Sequence, residues 1–205
     1  MITLGVTGGI GSGKSAFTRR LSEHAGVRAI FADDLARQLM AEDPAVHAAL
    51  VERFGAETFT PDGALDRKRL GSLVFGDAEA LAALNAIVHP AVRRALRGAQ
   101  RRAEAEGVAV LVYEAALLVE TGGADVVDTV VVVDAPPDLR AARAAARDGV
   151  PEASVRARMA HQLDPAEMRA AADLVVENTG TLDDLHAAAD ALSVRLGAGE
   201  RGGGR

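Results

Sequence analysis

The sequence predicts a three-layer α/β fold in which a five-stranded parallel sheet is covered by helices on both faces. Five short apolar segments rich in Val, Ile and Leu alternate with longer segments of helical spacing, and the apolar segments lack strict polar alternation. Strands buried on both faces have this pattern, which is typical of parallel sheets. The alternation of the two segment types favours a doubly wound core. The predicted strands cover residues 2–6, 27–31, 108–113, 129–133 and 174–176.

Composition excludes several classes of protein. The chain has 205 residues, of which 49% are hydrophobic and 25% charged, so general disorder is excluded. It contains no cysteine, which excludes disulfide scaffolds, cysteine nucleophiles and thiolate metal sites. A net charge of −6 and an aromatic content of 3% argue against nucleic-acid binding. Because the chain shows neither a membrane-spanning run nor a signal-peptide pattern, we expect a cytoplasmic protein without nucleic-acid or membrane partners, as a monomer or weak homo-oligomer.

A glycine-rich segment follows the first predicted strand and leads into a helical pattern. Gly8 and Gly13-Lys14-Ser15 stand at the spacing of a Walker A phosphate loop. Glycines let backbone N–H groups turn toward phosphate oxygens, and the helix N-terminus adds further donors. We expect Lys14 to reach the β- and γ-phosphates of ATP and the Ser15 hydroxyl to ligate Mg²⁺. The predicted nucleotide-binding residues are Gly8, Gly9, Ile10, Gly11, Ser12, Gly13, Lys14, Ser15 and Ala16, with Asn178 after the fifth strand either contacting adenine or making a turn.

The phosphate loop alone does not distinguish GTPase switches, motor ATPases and small-molecule kinases. The chain lacks the Asn-Lys-x-Asp guanine motif and the Asp-x-x-Gly switch motif, and it is short for a motor. Two long helical stretches between strands fit the acceptor pocket and the lid that a small kinase needs. The prediction is a P-loop NTPase core of residues 1–32, 106–136 and 173–196, a helical acceptor-binding insertion at 33–105, a helical, arginine-rich lid at 137–172, and a disordered tail at 197–205.

Carboxylates follow two of the predicted strands. Asp33 comes after the second strand, where the crevice of such a sheet binds ligands, and could accept a hydroxyl proton or help to position Mg²⁺. A helix cap is the alternative for Asp33. Glu114 ends the third strand in the geometry of a Walker B residue that holds Mg²⁺, with an exposed strand-end carboxylate as the alternative.

Arginines recur along the predicted lid helix. Arg140, Arg143 and Arg147 stand at i, i+3 and i+7, which predicts one helical stripe. Guanidinium groups bind phosphate oxygens bidentately and keep their charge when they are desolvated. A lid carrying them would neutralise charge on the transferred phosphoryl group and exclude water. A solvated helix surface is the alternative.

Several phrases resemble the dephospho-CoA kinase family. The most distinctive are Leu65-Asp66-Arg67-Lys68-Arg69-Leu70, Val74-Phe75 and Val88-His89-Pro90, after the phosphate loop and Ala32-Asp33, and the matches run in family order over residues 2–196. The resemblance implies an ATP-dependent kinase that phosphorylates the ribose 3′-hydroxyl of dephospho-CoA, the last step of coenzyme A synthesis. A kinase for another nucleotide or metabolite, or a P-loop regulatory ATPase or switch, is the alternative.

The resemblance also implies roles for individual residues. Asp33 would be the catalytic base, acting with Lys14, Arg143 and Arg147. The implied acceptor-binding residues are Asp33, Arg67, His89, Glu114, Leu117 and Leu118. Residue type leaves alternatives open for two of them: Arg67 could form a surface ion pair, and His89 could fix a turn at a helix break before Pro90. The chain departs from the family pattern at Phe31, where an Asp is common, and at Arg140, where a Gln is common.

Overall fold

The computed structural model describes residues 1–198, and its strands form one fully parallel sheet. The strands are β1 Ile2–Thr7, β2 Val27–Phe31, β3 Val110–Glu114, β4 Thr129–Asp134 and β5 Leu174–Glu177. Their order across the sheet is β2-β3-β1-β4-β5, so the central strand is the one that precedes the phosphate loop. At the carboxyl edge, Val6 lies opposite Glu114 on one side and Val131 on the other. The predicted five-stranded parallel sheet is therefore present.

Helices occupy most of the remaining described chain. They are α1 Lys14–Ser22, α2 Ala32–Glu42, α3 Pro44–Phe54, α4 Arg67–Val74, α5 Ala78–Ala105, α6 Pro137–Asp148, α7 Glu152–Met159, α8 Pro165–Ala170 and α9 Leu182–Arg195, with short 3₁₀ turns at Ala56–Thr58 and Gly123–Val126. Strand β3 starts two residues later than predicted. The reason is that the Val108 N–H donates to the Ala103 carbonyl oxygen at 2.9 Å and so belongs to the C-terminal cap of α5.

The chain forms two compact units. The first comprises Met1–Phe31 and the described residues from Gln100 onward, and it includes the segment predicted to be a lid; the second is Ala32–Ala99. In the first unit, α1 and α9 pack on the sheet, and fully buried Leu4, Phe17 and Leu21 join Leu185 in its core. Burial of each such side chain contributes about 1.5–3 kcal/mol.

The second unit has a small hydrophobic core of its own. Buried Val46 and Leu50 of α3 pack with Ala91 of α5. Phe59 and Leu65 flank this cluster and are joined by an isolated antiparallel bridge. Asp43 caps α3, since its carboxylate accepts from the Ala45 and Val46 N–H groups.

The predicted helix break at His89-Pro90 is wrong. Helix α5 runs from Ala78 to Ala105 with Pro90 inside it. A proline inside a helix costs about 3 kcal/mol, because it removes one N–H donor and crowds the preceding turn. Burial of the neighbouring Ala91 against Val46 and Leu50 offsets part of that cost.

The predicted disordered tail begins too early. Gly197 donates its N–H to the Val194 carbonyl oxygen, and Ala198 donates to the Ser193 oxygen, each at 3.0 Å. These two bonds form a Schellman cap on α9, and they place Ala198, 5% exposed, in the core. Residues 199–205, the rest of the predicted tail, lie outside the described residues.

Candidate active site

The phosphate loop lies between the end of β1 and the start of α1. Its last residue, Gly13, has a left-handed φ of 97° and lies against the side-chain amide of Asn178, so any side chain at this position would be strained and would collide. The first N–H groups of α1, from Lys14 onward, have no acceptor within the helix. Together with the positive end of the helix dipole, these donors make a site for phosphate oxygens.

Four cationic side chains surround this site. They belong to residues that line a cavity of about 230 Å³ beside the loop: Gly11, Gly13, Lys14, Ser15, Ala16, Arg19, Arg143, Ala144 and Arg147. The structure thus brings the predicted Lys14, Arg143 and Arg147 to one cavity of the first unit. Such a cluster of cations favours a polyphosphate ligand, because opposite charges are held most strongly where water is partly excluded.

Ser15 and Glu114, the two predicted metal ligands, are in contact. The Ser15 hydroxyl donates to Glu114 Oε2 at 3.1 Å. Glu114 is only 8% exposed, and it reaches the loop because it ends the strand next to β1. A hydroxyl and a carboxylate are the hard oxygen ligands that Mg²⁺ prefers, and in nucleotide sites Mg²⁺ takes its remaining ligands from phosphate and water. The residues present therefore fit this ion.

Asn178 supports the phosphate loop, and Arg143 in turn holds Asn178. Arg143 donates from Nη1 to the Asn178 carbonyl oxygen and from Nη2 to the Gly180 oxygen, both at 2.9 Å. Asn178 is buried, and its Nδ2 donates to the Ser12 carbonyl oxygen at 2.8 Å. The contacts of Asn178 show a role that the sequence did not predict, which is to support the phosphate loop through Ser12. Its contact with adenine stays a prediction.

Arg147 is paired on the surface of the lid segment. Its Nε lies 2.7 Å from Asp148 Oδ1, and Arg158 reaches the other oxygen of that carboxylate at 2.9 Å. Arg147 first, and then Arg158, lower the pKa of Asp148 far below its usual value. Hydrogen bonding to Asp148 also raises the pKa of Arg147, so this guanidinium is charged at every pH of interest.

Arg140 lies on α6 at the predicted spacing from Arg143 and Arg147, but its side chain does not line the cationic cavity with the other two. It is 5% exposed, and its Nε donates to the carbonyl oxygen of Ile10 in the phosphate loop at 3.0 Å. Its Nη2 donates to Gln162 Oε1 at 3.3 Å. Burial lowers the pKa of Arg140, and the nearby Asp134 carboxylate counters part of this effect. The difference arises because the side chain turns under the loop, where backbone oxygens can accept from it.

The remaining predicted residues belong to the second unit. Asp33 is exposed in the first turn of α2, directly after β2, while its neighbour Asp34 pairs with Arg37 at 2.9 Å. Arg67 is exposed at the start of α4. His89 is partly buried within the continuous helix α5, so it fixes no turn. Burial first, and then the charge of Arg93, lower the pKa of His89.

Comparison with known proteins decides the family. The family model described as dephospho-CoA kinase matches residues 2–184. The chain belongs to the dephospho-CoA kinase family. It is 51% identical over 185 residues to a dephospho-CoA kinase of Salinibacter ruber, with 90% of this chain and 92% of the relative covered. The corresponding Thermobifida fusca protein is 44% identical over 187 residues, covering 91% of this chain and 92% of the relative.

A solved structure of a family member has the same fold. The dephospho-CoA kinase from Campylobacter jejuni superposes with a TM-score of 0.71 at 26% identity, covering 95% of this chain and 96% of that one. Membership of the dephospho-CoA kinase family confirms the fold class, the kinase activity and the use of ATP that the sequence predicts. Within residues 1–198, none of the helices has the length and apolar character needed to cross a membrane.

Leu118, which was predicted to bind the acceptor, lies in the hydrophobic core of this dephospho-CoA kinase family member. Leu118 is 0% exposed, and its side chain packs against Gly5 and Gly123, where an added Cβ would meet its methyl groups at 2.7 and 2.8 Å. A side chain without accessible surface cannot contact a substrate, so Leu118 is a packing residue. Its neighbour Leu117 is 45% exposed and remains an acceptor candidate.

Sequence reasoning missed Arg19 and Gln162 at the phosphate loop, and it assigned Arg140 to the lid without its contact to the loop. Arg19 lines the cationic cavity and also lies over the Phe31 ring at 5.5 Å. Its position four residues after Ser15, one turn further along the same helix, was the available signal. Arg140 and Gln162 bind the backbone of Ile10, and nothing in the sequence pattern indicated that either would reach so distant a segment.

Proposed function

We propose that this kinase transfers the γ-phosphoryl group of ATP to the ribose 3′-hydroxyl of dephospho-CoA, giving coenzyme A and ADP. The observation that carries the phosphoryl-transfer part is the cavity in which Lys14, Arg143 and Arg147 meet the phosphate loop. Family membership supports the choice of acceptor.

The nucleotide side would act mainly by positioning and charge. The N–H groups of the loop and of the first turn of α1 bind phosphate oxygens, and Lys14 neutralises the terminal phosphates. Arg143 and Arg147 stabilise charge that develops on the transferred group. Ser15 and Glu114 would hold Mg²⁺. When bound, Mg²⁺ supplies positive charge to the phosphate oxygens and orients them.

The acceptor side would supply the base. Asp33 accepts the proton of the 3′-hydroxyl as its oxygen forms a bond to the γ-phosphorus, while the bond from that phosphorus to the bridging oxygen breaks and ADP leaves. Arg67 and Leu117 bind the acceptor through its phosphates and its apolar part. Because its pKa is lowered, His89 acts there as a neutral imidazole, which both donates and accepts hydrogen bonds.

We assign a different role in the reaction to each predicted segment of the chain. Residues 33–105 bind the acceptor, and residues 137–172, the lid segment, close over ATP and exclude water that would otherwise hydrolyse it. The core of residues 1–32, 106–136 and 173–196 holds the nucleotide. The protein is proposed to act in the cytoplasm as a monomer or weak homo-oligomer.

Product analysis tests this proposal. The protein is incubated with ATP, Mg²⁺ and one acceptor, and the products are identified by mass spectrometry and phosphorus NMR. We expect one added phosphate, at the 3′ position, on dephospho-CoA and none on adenosine, AMP or shikimate, with no transfer in EDTA. Transfer to another acceptor would favour a different small-molecule kinase, and hydrolysis of ATP without transfer would favour a regulatory ATPase.

A further inference from the structure

Ile10, between two glycines of the phosphate loop, is bound by the lid segment on three sides. Its N–H donates to Gln162 Oε1 at 2.9 Å. Its carbonyl oxygen accepts from Arg140 Nε at 3.0 Å. Its side chain packs against the buried cluster of Ala141, Ala144 and Val155, the small core between α6 and α7. Backbone donor, backbone acceptor and side chain of this one residue are all used by the lid segment.

The flanking glycines allow this close approach. A Cβ on Gly9 would collide with the guanidinium of Arg140, and a Cβ on Gly11 would collide with the Arg140 backbone carbonyl. The loop and α6 are therefore packed directly on each other within the first unit. We therefore expect a displacement of Ile10 to shift α6, the helix that carries Arg143 and Arg147.

The chemistry of the contact requires an acceptor at position 162. Gln162 Oε1 receives two donors, the Ile10 N–H at 2.9 Å and Arg140 Nη2 at 3.3 Å. If the Gln162 amide nitrogen occupied the position of Oε1, three hydrogen-bond donors would face one another without an acceptor. The side-chain amide is therefore oriented with its oxygen toward Ile10 and Arg140. The Ile10 N–H therefore donates its hydrogen bond to the lid segment.

We propose that Gln162 is a positioning residue for phosphoryl transfer: it fixes Ile10, and through Ile10 it sets the phosphate loop and the lid arginines in a fixed relative arrangement. This inference rests on the proposed function. Gln162 acts through Ile10, while the loop's other donors and Lys14 remain to bind ATP. Loss of the Gln162 oxygen should therefore lower kcat more than it raises the KM for ATP, and it should increase the ATP hydrolysed per phosphoryl group transferred.

A variant series separates positioning from general stability. Gln162→Leu removes the acceptor at similar volume, Gln162→Glu keeps a carboxylate oxygen for both donors, and His161→Leu is the matched control at the exposed neighbouring position. Amide hydrogen exchange at Ile10, measured by NMR on the full chain, tests the contact itself. Steady-state kinetics with ATP and dephospho-CoA tests its consequence.

In Gln162→Leu we expect exchange at Ile10 to rise about fivefold to tenfold, in line with the loss of one hydrogen bond. We expect kcat to fall about tenfold, with the KM for ATP changed by less than about threefold. Gln162→Glu should restore both quantities to near the wild-type values, and His161→Leu should change neither. Should the leucine variant not fold, Gln162→Asn withdraws the oxygen by one methylene and gives the same comparison.

The outcomes that overturn the inference are distinct from failure of the proposed function. Unchanged exchange at Ile10 in Gln162→Leu, or equal losses of kcat in Gln162→Leu and Gln162→Glu, would overturn it. If the wild-type protein transfers no phosphate to dephospho-CoA, the proposed function fails, while the exchange measurement still decides whether Gln162 fixes Ile10.

Discussion

The phosphate loop and the acceptor candidates are built in opposite ways. The loop is bound by buried side chains from distant parts of the first unit, among them Asn178 and Arg140, which are each 5% exposed. In the second unit, Asp33 and Arg67 are exposed on the first turns of their helices. The side chains of the nucleotide site are therefore held in place without a ligand, whereas the exposed acceptor residues can change their side-chain conformation when the acceptor binds. Changes at the loop should affect both stability and catalysis, and changes at the acceptor residues should affect catalysis alone.

The largest expected effect comes from Asp33→Asn. We expect the rate of phosphoryl transfer to fall by about 10²–10⁴-fold, because the amide cannot accept the hydroxyl proton. ATP affinity and Tm should stay near the wild-type values, since the side chain is exposed. The measurements are kcat with dephospho-CoA, ATP binding by calorimetry, and thermal unfolding.

Asp34→Asn is the matched control for that variant. It changes the adjacent carboxylate, which is paired with Arg37, and should leave turnover within about twofold of wild type. Equal turnover in the two variants would remove the catalytic role of Asp33. A large drop in Tm for Asp33→Asn would contradict the contrast between the two regions.

The second-largest expected effect is on the stability of the fold, and it distinguishes the adjacent residues Leu118 and Leu117. Leu118→Ala should lower the free energy of unfolding by about 2–5 kcal/mol, because it opens a cavity beside Gly5 and Gly123. Leu117→Ala, at a 45% exposed position, should change it by less than about 0.5 kcal/mol. Urea unfolding of both variants measures the difference. Comparable losses in the two would mean that Leu117 is also a packing residue.

The sequence predicts those features that depend on local pattern. The central strands β1, β3 and β4 were recognisable because both of their faces are buried, as Leu4 and Val112 illustrate with 0% exposure. Lys14 and Ser15 were recognisable because the phosphate loop has a fixed spacing. Glu114 was found because strand ends in a parallel sheet meet at one edge, so a carboxylate there reaches the loop.

What the sequence could not predict depends on contacts between distant segments. Gln162 lies 152 residues from Ile10, and no periodicity relates the two. Leu118 and Leu117 look alike in sequence, and only the packing of β1 distinguishes them. The continuity of α5 through Pro90 likewise depends on tertiary burial, which overrides the local preference of proline.

The smallest expected effect comes from Asp190→Asn, at the other end of α1 from the phosphate loop. Arg20 of α1 donates from Nε and Nη2 to the Asp190 carboxylate of α9 at 2.7 and 2.8 Å, and His24 lies 2.8 Å from the same group. Arg20 first, and then His24, lower the pKa of Asp190 to about 2 from an ordinary value of 3.8. Because the pair is on the surface and α1 has many other contacts, its loss should lower Tm by a few degrees at most.

The pH dependence gives this variant its diagnostic value. The pKa of Asp190 is lower in the folded protein than in the unfolded chain, so its stabilising effect is fully present above about pH 4 and is lost as the pH falls toward about 2. The difference in Tm between wild type and Asp190→Asn should therefore be present above about pH 4, shrink between about pH 4 and pH 2, and shrink also in about 1 M salt. Glu104→Gln, at an exposed position of α5, is the control and should show no such trend. A difference that persists undiminished at about pH 2 would mean that the carboxylate is not held by Arg20, and α1 would then depend on its buried contacts alone.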